Sequence, residues 1–154
     1  MVNRRTFLLG TLAVGLAGCT RPPSAADSSA ADDRWRKLLT KEQYAILREG
    51  ATERPFTSKL LEEHRRGTFA CAGCHLDLFS STTKFESGTG WPSFWAPLEG
   101  AIRTEKDTSL GMVRTEVRCH RCDGHLGHVF DDGPKPTGKR YCINGDALEF
   151  REEA

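Results

Sequence analysis

The sequence predicts a mainly β domain of antiparallel sheets, with short helices confined to its N-terminal end. After Gly67, many short strand-forming segments are separated by turns rich in glycine, aspartate and proline, which is typical of antiparallel sheets and not of βαβ units. The clearest segment is 113–119, where uncharged and charged residues alternate, as expected of a strand with one buried face. A length of 154 residues allows one such domain.

Composition and charge narrow the classes of function. The chain has 38% hydrophobic and 28% charged residues, an ordinary globular balance. Lysine and arginine total 22 against 21 acidic residues, which argues against a nucleic-acid partner because such proteins usually carry a strong basic excess. The six cysteines are a high content for this length. We therefore look for the function in cysteine chemistry.

Residues 1–18 are predicted to be a twin-arginine-like lipoprotein signal peptide. Arg4 and Arg5 precede the apolar run 7–18, which is shorter than the roughly 20 residues of a membrane-spanning helix but suits a signal-peptide core. The residues around the arginine pair resemble a twin-arginine export signal, and the four residues ending at Cys19 resemble a lipobox. The alternatives are an uncleaved anchor or a chance arginine pair.

The segment 19–33 is predicted to be the lipidated N-terminus and a flexible tether, because it is small, polar and proline-containing. Lipidation of Cys19 would anchor the protein at a membrane, facing the periplasm or the cell exterior. The folded domain is then residues 34–154, and we expect it to be a monomer.

Two short helices are expected at the start of this domain. Thr40 and Gln43 form a capping box, so a helix should cover about 41–49 and end at Gly50, which can adopt the left-handed C-cap conformation. A second helix is predicted over 58–66. The strands that follow are predicted at 68–71, 76–79, 101–104, 113–119, 128–130, 140–144 and 148–150.

Four cysteines have the spacing of a metal site. Cys71 and Cys74 form one Cys-x-x-Cys knuckle, and Cys119 and Cys122 form another. Two such knuckles supply four thiolates in a tetrahedron, which predicts one structural zinc ion per chain with no open position for a catalytic water. The alternatives are two disulfides or a thioredoxin-like redox pair, and the spacing alone does not exclude iron.

Cys142 is the cysteine that remains, and it is a candidate nucleophile. If residues 140–144 form a strand, Arg140, Cys142 and Asn144 project from one face. A neighbouring guanidinium favours the thiolate, the nucleophilic form of cysteine. The alternative is a buried structural cysteine.

Further candidates lie on either side of the second knuckle. His125 and His128 follow it directly and could perform acid–base chemistry, with Asp132 orienting one ring. They could instead be metal ligands or surface residues. Residues 88–95 lack the third glycine of a phosphate-binding loop and are interpreted as an irregular segment that presents Trp91, for which core packing is the alternative.

Six motifs occur together in the order of a known family. They are Thr52-Glu-Arg-Pro-Phe56, Cys71-Ala-Gly-Cys74, Gly90-Trp-Pro-Ser-Phe94, Cys119-x-x-Cys122, Gly124-His-Leu-Gly-His-Val-Phe130 and Arg140-Tyr-Cys-Ile-Asn144. In this the chain resembles the B-type methionine sulfoxide reductases, enzymes that reduce the R epimer of methionine sulfoxide. The resemblance implies two antiparallel sheets with short N-terminal helices and a four-cysteine zinc site.

The resemblance also implies roles for site residues. Cys142 would attack the sulfoxide sulfur as thiolate and be left as a sulfenic acid, with Arg140 favouring the thiolate. His128, assisted by His125 and a water held by Asn144, would protonate the departing oxygen. The substrate-binding residues would be Trp91, which receives the terminal methyl group, and Phe130.

One position departs from the family pattern. Many members carry a resolving cysteine where this chain has Thr89. We therefore expect a single-cysteine cycle in which an external thiol or a thioredoxin-like partner reduces the sulfenic acid. The substrate would be methionine-R-sulfoxide in oxidised proteins, and the activity would be repair of oxidative damage. The rival functions are a non-catalytic zinc-ribbon-like interaction module and a disulfide oxidoreductase.

Overall fold

The computed structural model describes residues 25–153. The predicted signal peptide and the proposed lipidation site Cys19 lie outside these residues. Within the described part of the chain, no helix is both long and apolar enough to cross a membrane.

Helix α1 covers Ala25–Leu38, so it includes residues predicted to be a flexible tether. The small and polar residues of this segment predict a flexible tether, whereas its alanines favour helix formation. The last turn of α1 contacts the domain, because the Trp35 side chain packs against the core and the Arg36 guanidinium lies 4.1 Å from the centre of the Tyr44 ring.

Helix α2 covers Lys41–Glu49, and its predicted caps are confirmed. The Thr40 hydroxyl accepts a hydrogen bond from the Gln43 main-chain N–H at 3.2 Å, and the Gln43 side-chain oxygen accepts one from the Thr40 N–H at 3.0 Å. Gly50 has a φ of 71° and ends the helix in the left-handed conformation. These are local interactions, which is why the sequence alone predicts them.

The predicted second helix over 58–66 is wrong, because this segment forms turns. In a helix the Leu61 carbonyl would accept from the Arg65 N–H. Instead it accepts from Lys84 Nζ at 2.7 Å, and the Arg65 N–H donates to Glu63 Oε1 at 3.1 Å. Contacts that are distant in sequence therefore replace the helical hydrogen bonds.

Nine strands form two antiparallel sheets in the described part of the chain, which confirms the predicted mainly β fold. One sheet has the order β2-β1-β9 and the other has the order β3-β4-β8-β7-β6-β5. The strands are β1 Gly67–Cys71, β2 Asp77–Ser80, β3 Lys84–Phe85, β4 Ser93–Phe94, β5 Ile102–Asp107, β6 Arg114–Cys119, β7 His125–Phe130, β8 Arg140–Ile143 and β9 Leu148–Glu152. The sequence does not reveal β3 and β4, because each has only two residues and so shows no alternation.

The core joins the two sheets. Phe94 of the larger sheet stacks on Phe79 with ring centres 4.4 Å apart and meets the edge of Phe69 at 5.0 Å, both of these from the smaller sheet. All three side chains are fully buried, as is Leu47 of α2 at 2% exposure. Burial of large apolar side chains of this kind contributes roughly 1.5–3 kcal/mol each.

Strand β8 lies between β4 and β7, and this placement positions the candidate site. In the antiparallel register, Cys142 of β8 is opposite Ser93 of β4 on one side and His128 of β7 on the other. Its neighbour Ile143 is fully buried in the core. The cysteine and the second histidine of the predicted site therefore meet because of strand pairing.

Candidate active site and metal centre

A small cavity opens where β7 and β8 meet the loop between β3 and β4, residues 86–92, which contains Trp91 and is called the Trp91 loop below. It measures about 120 Å³. The residues that line it are Thr52, Trp91, Arg114, Gly127, His128, Phe130, Cys142 and Asn144. Five of the seven predicted catalytic and substrate-binding residues thus share one cavity.

The other two predicted residues lie next to the cavity. The His125 ring is buried, with its centre 5.5 Å from that of His128. The Arg140 guanidinium lies 4.5 Å from the centre of the Phe130 ring, over its face. Both can influence the groups that line the cavity.

The Cys142 thiol is half-buried, 3.8 Å from the Thr89 hydroxyl oxygen. Burial raises the pKa of Cys142 above its usual value, and Thr89 and Arg140 oppose this only in part. Arg140 thus lowers the pKa as the sequence suggested, but desolvation outweighs it. The resting group at neutral pH is the protonated thiol.

Asp132 does not orient a histidine, contrary to the prediction. Its carboxylate accepts two hydrogen bonds from Arg140, from Nε at 2.9 Å and from Nη2 at 2.8 Å. The hydrogen bonds from Arg140 lower the pKa of Asp132. This bidentate pair holds the Arg140 side chain over Phe130 and close to Cys142.

The two histidines are held by carboxylates that sequence reasoning missed. His125 Nδ1 donates to Glu116 Oε1 at 2.6 Å, and His128 Nε2 lies 2.8 Å from Asp107 Oδ2. Hydrogen bonds from Ser109 and His128 hold the pKa of Asp107 well below its usual range, so this carboxylate is ionised and accepts from His128. Each ring therefore has one nitrogen whose proton is fixed by a carboxylate.

The second nitrogen of the His125 ring is available for chemistry. Burial lowers the pKa of His125, and the Glu116 carboxylate opposes this only in part. His125 is therefore neutral at neutral pH, and its buried Nε2 has no hydrogen-bond partner among the described residues. The fixed tautomer of His125 leaves its Nε2 unprotonated, so this nitrogen can accept or relay a proton.

The Asn144 amide has a defined orientation at the edge of the cavity. Its Oδ1 accepts from the Glu53 main-chain N–H, and its Nδ2 donates to the Leu126 carbonyl, both at 3.0 Å. These partners distinguish the amide oxygen from the nitrogen. Asn144 lines the cavity, and among the described residues its Nδ2 has one acceptor, so its second N–H can donate to a molecule there.

The four knuckle cysteines lie together in the arrangement of a metal site. Their sulfur atoms are all within 4.8 Å of one another, and the Cys71–Cys122 and Cys74–Cys119 sulfurs are 3.7 and 3.5 Å apart. A disulfide requires about 2.05 Å. Around zinc, four sulfurs at about 2.3 Å would be about 3.8 Å apart. The free thiols therefore fit a tetrahedral ion and do not form disulfides.

The two knuckles have the same turn geometry. The residue after each knuckle adopts a left-handed conformation, His75 with a φ of 59° and Asp123 with a φ of 61°. Its N–H donates to the carbonyl of the first cysteine of its knuckle, at 2.8 Å to Cys71 and 3.0 Å to Cys119. Asp123 is further anchored by Arg118, whose Nε donates to its carboxylate at 2.8 Å.

Comparison with known proteins identifies the family. Residues 39–152 match the SelR domain. Peptide methionine sulfoxide reductase MsrB of Leptospira interrogans serogroup Icterohaemorrhagiae serovar Lai is 55% identical over 79% of this chain and 94% of its own length. The chain belongs to the SelR family of B-type methionine sulfoxide reductases. The predicted family and enzyme class are thereby confirmed.

Other relatives agree with this assignment. Peptide methionine sulfoxide reductases MsrB of Pseudomonas putida strain W619 and Methanosarcina barkeri strain Fusaro are 58% and 54% identical over 77% and 79% of this chain, and over 90% and 87% of their own lengths. The SelR match extends from just before α2 to the end of β9, so it includes the cavity and all four knuckle cysteines. Helix α1 lies before it.

The missed site residues depend on tertiary contacts. Glu116 lies opposite His128 in the β6–β7 register but binds His125, and Asp107 reaches His128 from β5. The alternation of β6 marks Glu116 as a residue of one face, but a single sequence does not give the strand order. The Asp107–Arg114 ion pair spans the β5–β6 hairpin, which hairpin pairing could have indicated.

Proposed function

We propose that this chain reduces the R epimer of methionine sulfoxide in oxidised proteins to methionine, with Cys142 as the nucleophile. The observation that carries the proposal is the cavity in which a lone thiol faces a carboxylate-fixed histidine, an oriented amide and two aromatic rings. The direct test is to supply each epimer separately with dithiothreitol as reductant. Only the R epimer should be consumed.

The first step transfers one oxygen atom to the enzyme. The Cys142 sulfur attacks the sulfoxide sulfur, the sulfur–oxygen bond of the substrate breaks, and the oxygen ends on Cys142 as a sulfenic acid. The substrate sulfur gains two electrons and Cys142 loses two. The thiol proton ends on the transferred oxygen, so the step needs no external proton.

The histidines transfer that proton, and Asn144 donates a hydrogen bond beside the transferred oxygen. The free nitrogen of His128 accepts the thiol proton and returns it to the oxygen, while Asp107 keeps the opposite nitrogen protonated. The free N–H of Asn144 holds a water or the sulfoxide oxygen beside this group. The buried His125 ring, centred 5.5 Å from that of His128, can relay the same proton through its Nε2.

The aromatic side of the cavity selects the epimer. Trp91 and Phe130 supply the apolar wall of the cavity, for the terminal methyl group, and His128 and Asn144 supply its polar groups. In the S epimer the oxygen would face the apolar wall, where it would lose its hydrogen bonds, a loss of roughly 1–3 kcal/mol or more.

An external thiol completes the cycle. One sulfenic acid and two thiols give the Cys142 thiol, one disulfide and one water, so the reductant is either a pair of small thiols or a thioredoxin-like dithiol. Thr89 stands beside Cys142 where a resolving cysteine would be needed. The other described cysteines belong to the metal cluster.

Replacing Thr89 with cysteine should convert the cycle to an intramolecular one. The Thr89 hydroxyl oxygen is 3.8 Å from the Cys142 sulfur, so a thiol there is within reach of a sulfenic acid. After one turnover without reductant, mass spectrometry should find a Cys142 sulfenic acid in the wild type. In T89C it should find a disulfide between Cys142 and the introduced thiol.

The exposed position Thr82 provides the matched control for this experiment. The T82C variant should form a sulfenic acid at Cys142 and no intramolecular disulfide. An intramolecular Cys142 disulfide in the wild type would contradict the single-cysteine cycle.

Two further features belong to the proposal. The four knuckle cysteines hold one structural zinc ion, supported by the spacing of their sulfurs and the matching turns. The chain is exported and held at a membrane through lipidated Cys19, facing the periplasm or the cell exterior, supported by the sequence of residues 1–19. Cell fractionation of a Cys19→Ser variant tests the second feature, since loss of the lipid should release the protein from membranes.

A further inference from the structure

The segment 52–58 enters the lining of the cavity at Thr52, and it contributes no residue to the catalytic group or to the metal cluster described above. It follows α2 and contains the Thr-Glu-Arg-Pro-Phe motif. Its residue Glu53 forms hydrogen bonds with all of its polar groups, both in the side chain and in the main chain. These partners are Trp91 and the residues 144–146, and both Trp91 and Asn144 line the cavity.

The Glu53 carboxylate is bound to the turn that follows β8. Oε1 accepts from the Gly145 N–H at 2.7 Å, and Oε2 accepts from the Asp146 N–H at 3.0 Å. Glu53 is half-buried, and burial raises its pKa although the two N–H groups oppose the rise. The fit of the segment to this turn is close, since a Cβ on Gly145 would lie 1.8 Å from the Ser58 hydroxyl.

The Glu53 main chain is hydrogen-bonded to Asn144 and to Trp91, which both line the cavity. Its N–H donates to Asn144 Oδ1 at 3.0 Å and, with the Leu126 carbonyl, orients the amide. Its carbonyl accepts from the Trp91 indole Nε1 at 3.1 Å. The nearby Phe56 N–H donates to the Gly90 carbonyl at 2.8 Å and ties the same segment to the Trp91 loop.

We propose that Glu53 is a positioning residue that sets the separation of the Trp91 wall and the Asn144 amide, and through it the preference for one sulfoxide epimer. The inference rests on the proposed function of this cavity. When the rest of the methionine side chain is held in one position, the oxygen and the methyl group exchange places between the two epimers. Discrimination therefore requires a fixed separation between the Trp91 ring and the Asn144 amide. The Glu53 carboxylate binds the segment 52–58 to the turn that follows β8. The Glu53 main chain binds both Asn144 and Trp91.

The test compares Glu53→Gln and Glu53→Ala with the wild type, using kcat and KM for each epimer. Alanine removes both acceptors, whereas glutamine keeps one. We expect kcat/KM for the R epimer to fall by about tenfold or more in Glu53→Ala, with a narrower R-to-S ratio, because a misplacement of about 1 Å can lower rates by about 100-fold. Glu53→Gln should recover part of both the rate and the ratio.

Two measurements separate positioning from a general loss of structure. The Trp91 indole N–H signal, assigned by NMR with a Trp91→Phe variant, should move and exchange faster with solvent in Glu53→Ala. A raised folded-state pKa means that the ionised carboxylate does not stabilise the fold as pH rises, so Glu53→Gln should melt within about 3 °C of the wild type.

Glu62 provides the matched control, since its side chain is 90% exposed. Glu62→Gln should leave both epimer rates and the Trp91 signal unchanged. An unchanged R-to-S ratio and an unchanged indole signal in Glu53→Ala would overturn the inference while leaving the proposed function standing. If the wild type turned over neither epimer, the proposed function would fail, and the indole signal would still report whether Glu53 positions Trp91.

Discussion

Replacing Cys142 by serine is expected to abolish turnover of the R epimer, a loss of at least about a thousandfold in kcat/KM. The reaction transfers oxygen to sulfur, and the same transfer to a serine hydroxyl would require an oxygen–oxygen bond. No neighbouring thiol can replace Cys142, since the other described cysteines lie in the metal cluster. Serine is close in size to cysteine, so the half-buried site should keep its packing.

The measurement is methionine formation from the R epimer with dithiothreitol, using thermal melting to show that the variant is folded. Cys19→Ser is the matched control, because it removes a cysteine outside the described domain and should keep full turnover. Retained turnover in Cys142→Ser would contradict the assignment of the nucleophile.

Removal of the metal from the four-cysteine cluster is expected to have the largest effect on stability. Cys71 belongs to the smaller sheet and Cys119 to the larger one, so an ion bound by both cross-links the sheets. Zinc binding in small domains is worth about 10–16 kcal/mol. Folded domains are stable by only about 5–15 kcal/mol. Loss of the ion should therefore lower the melting temperature by more than about 15 °C or abolish the cooperative transition.

Metal analysis of the purified protein should find one zinc per chain, and thermal melts with and without a chelator should show this loss of stability. Cys122→Ser, which removes one ligand, should behave like the chelated protein. A metal-free protein with an unchanged melting temperature would contradict a structural role for the cluster. So would non-reducing mass spectrometry that found two disulfides among the four cysteines.

Features that depend on neighbours in sequence were predicted well. The capping box of α2 involves residues three apart, and the knuckles bring paired cysteines together within one turn, so both are visible in the sequence. The alternation of residues 140–144 similarly places Cys142 and Asn144 on the cavity side and Ile143 in the core. In each case the local pattern carries the relevant physical interaction.

Features that depend on strand order or distant contacts were not predicted. The helix expected over 58–66 is absent because the Leu61 carbonyl accepts a hydrogen bond from Lys84 Nζ instead of from a helical N–H. Asp132, in the loop between β7 and β8, pairs with Arg140 at the start of β8, and the histidines bind carboxylates on β5 and β6. A single sequence names all these residues but does not give the register that decides which of them meet.

The most direct test of the central claim is to offer the separate R and S epimers of methionine sulfoxide to the zinc-loaded protein, with dithiothreitol as the reductant. The polar and apolar sides of the cavity predict that the R epimer is reduced to methionine and that the S epimer is left unchanged. Failure to reduce the R epimer, or equal reduction of both epimers, would contradict the account.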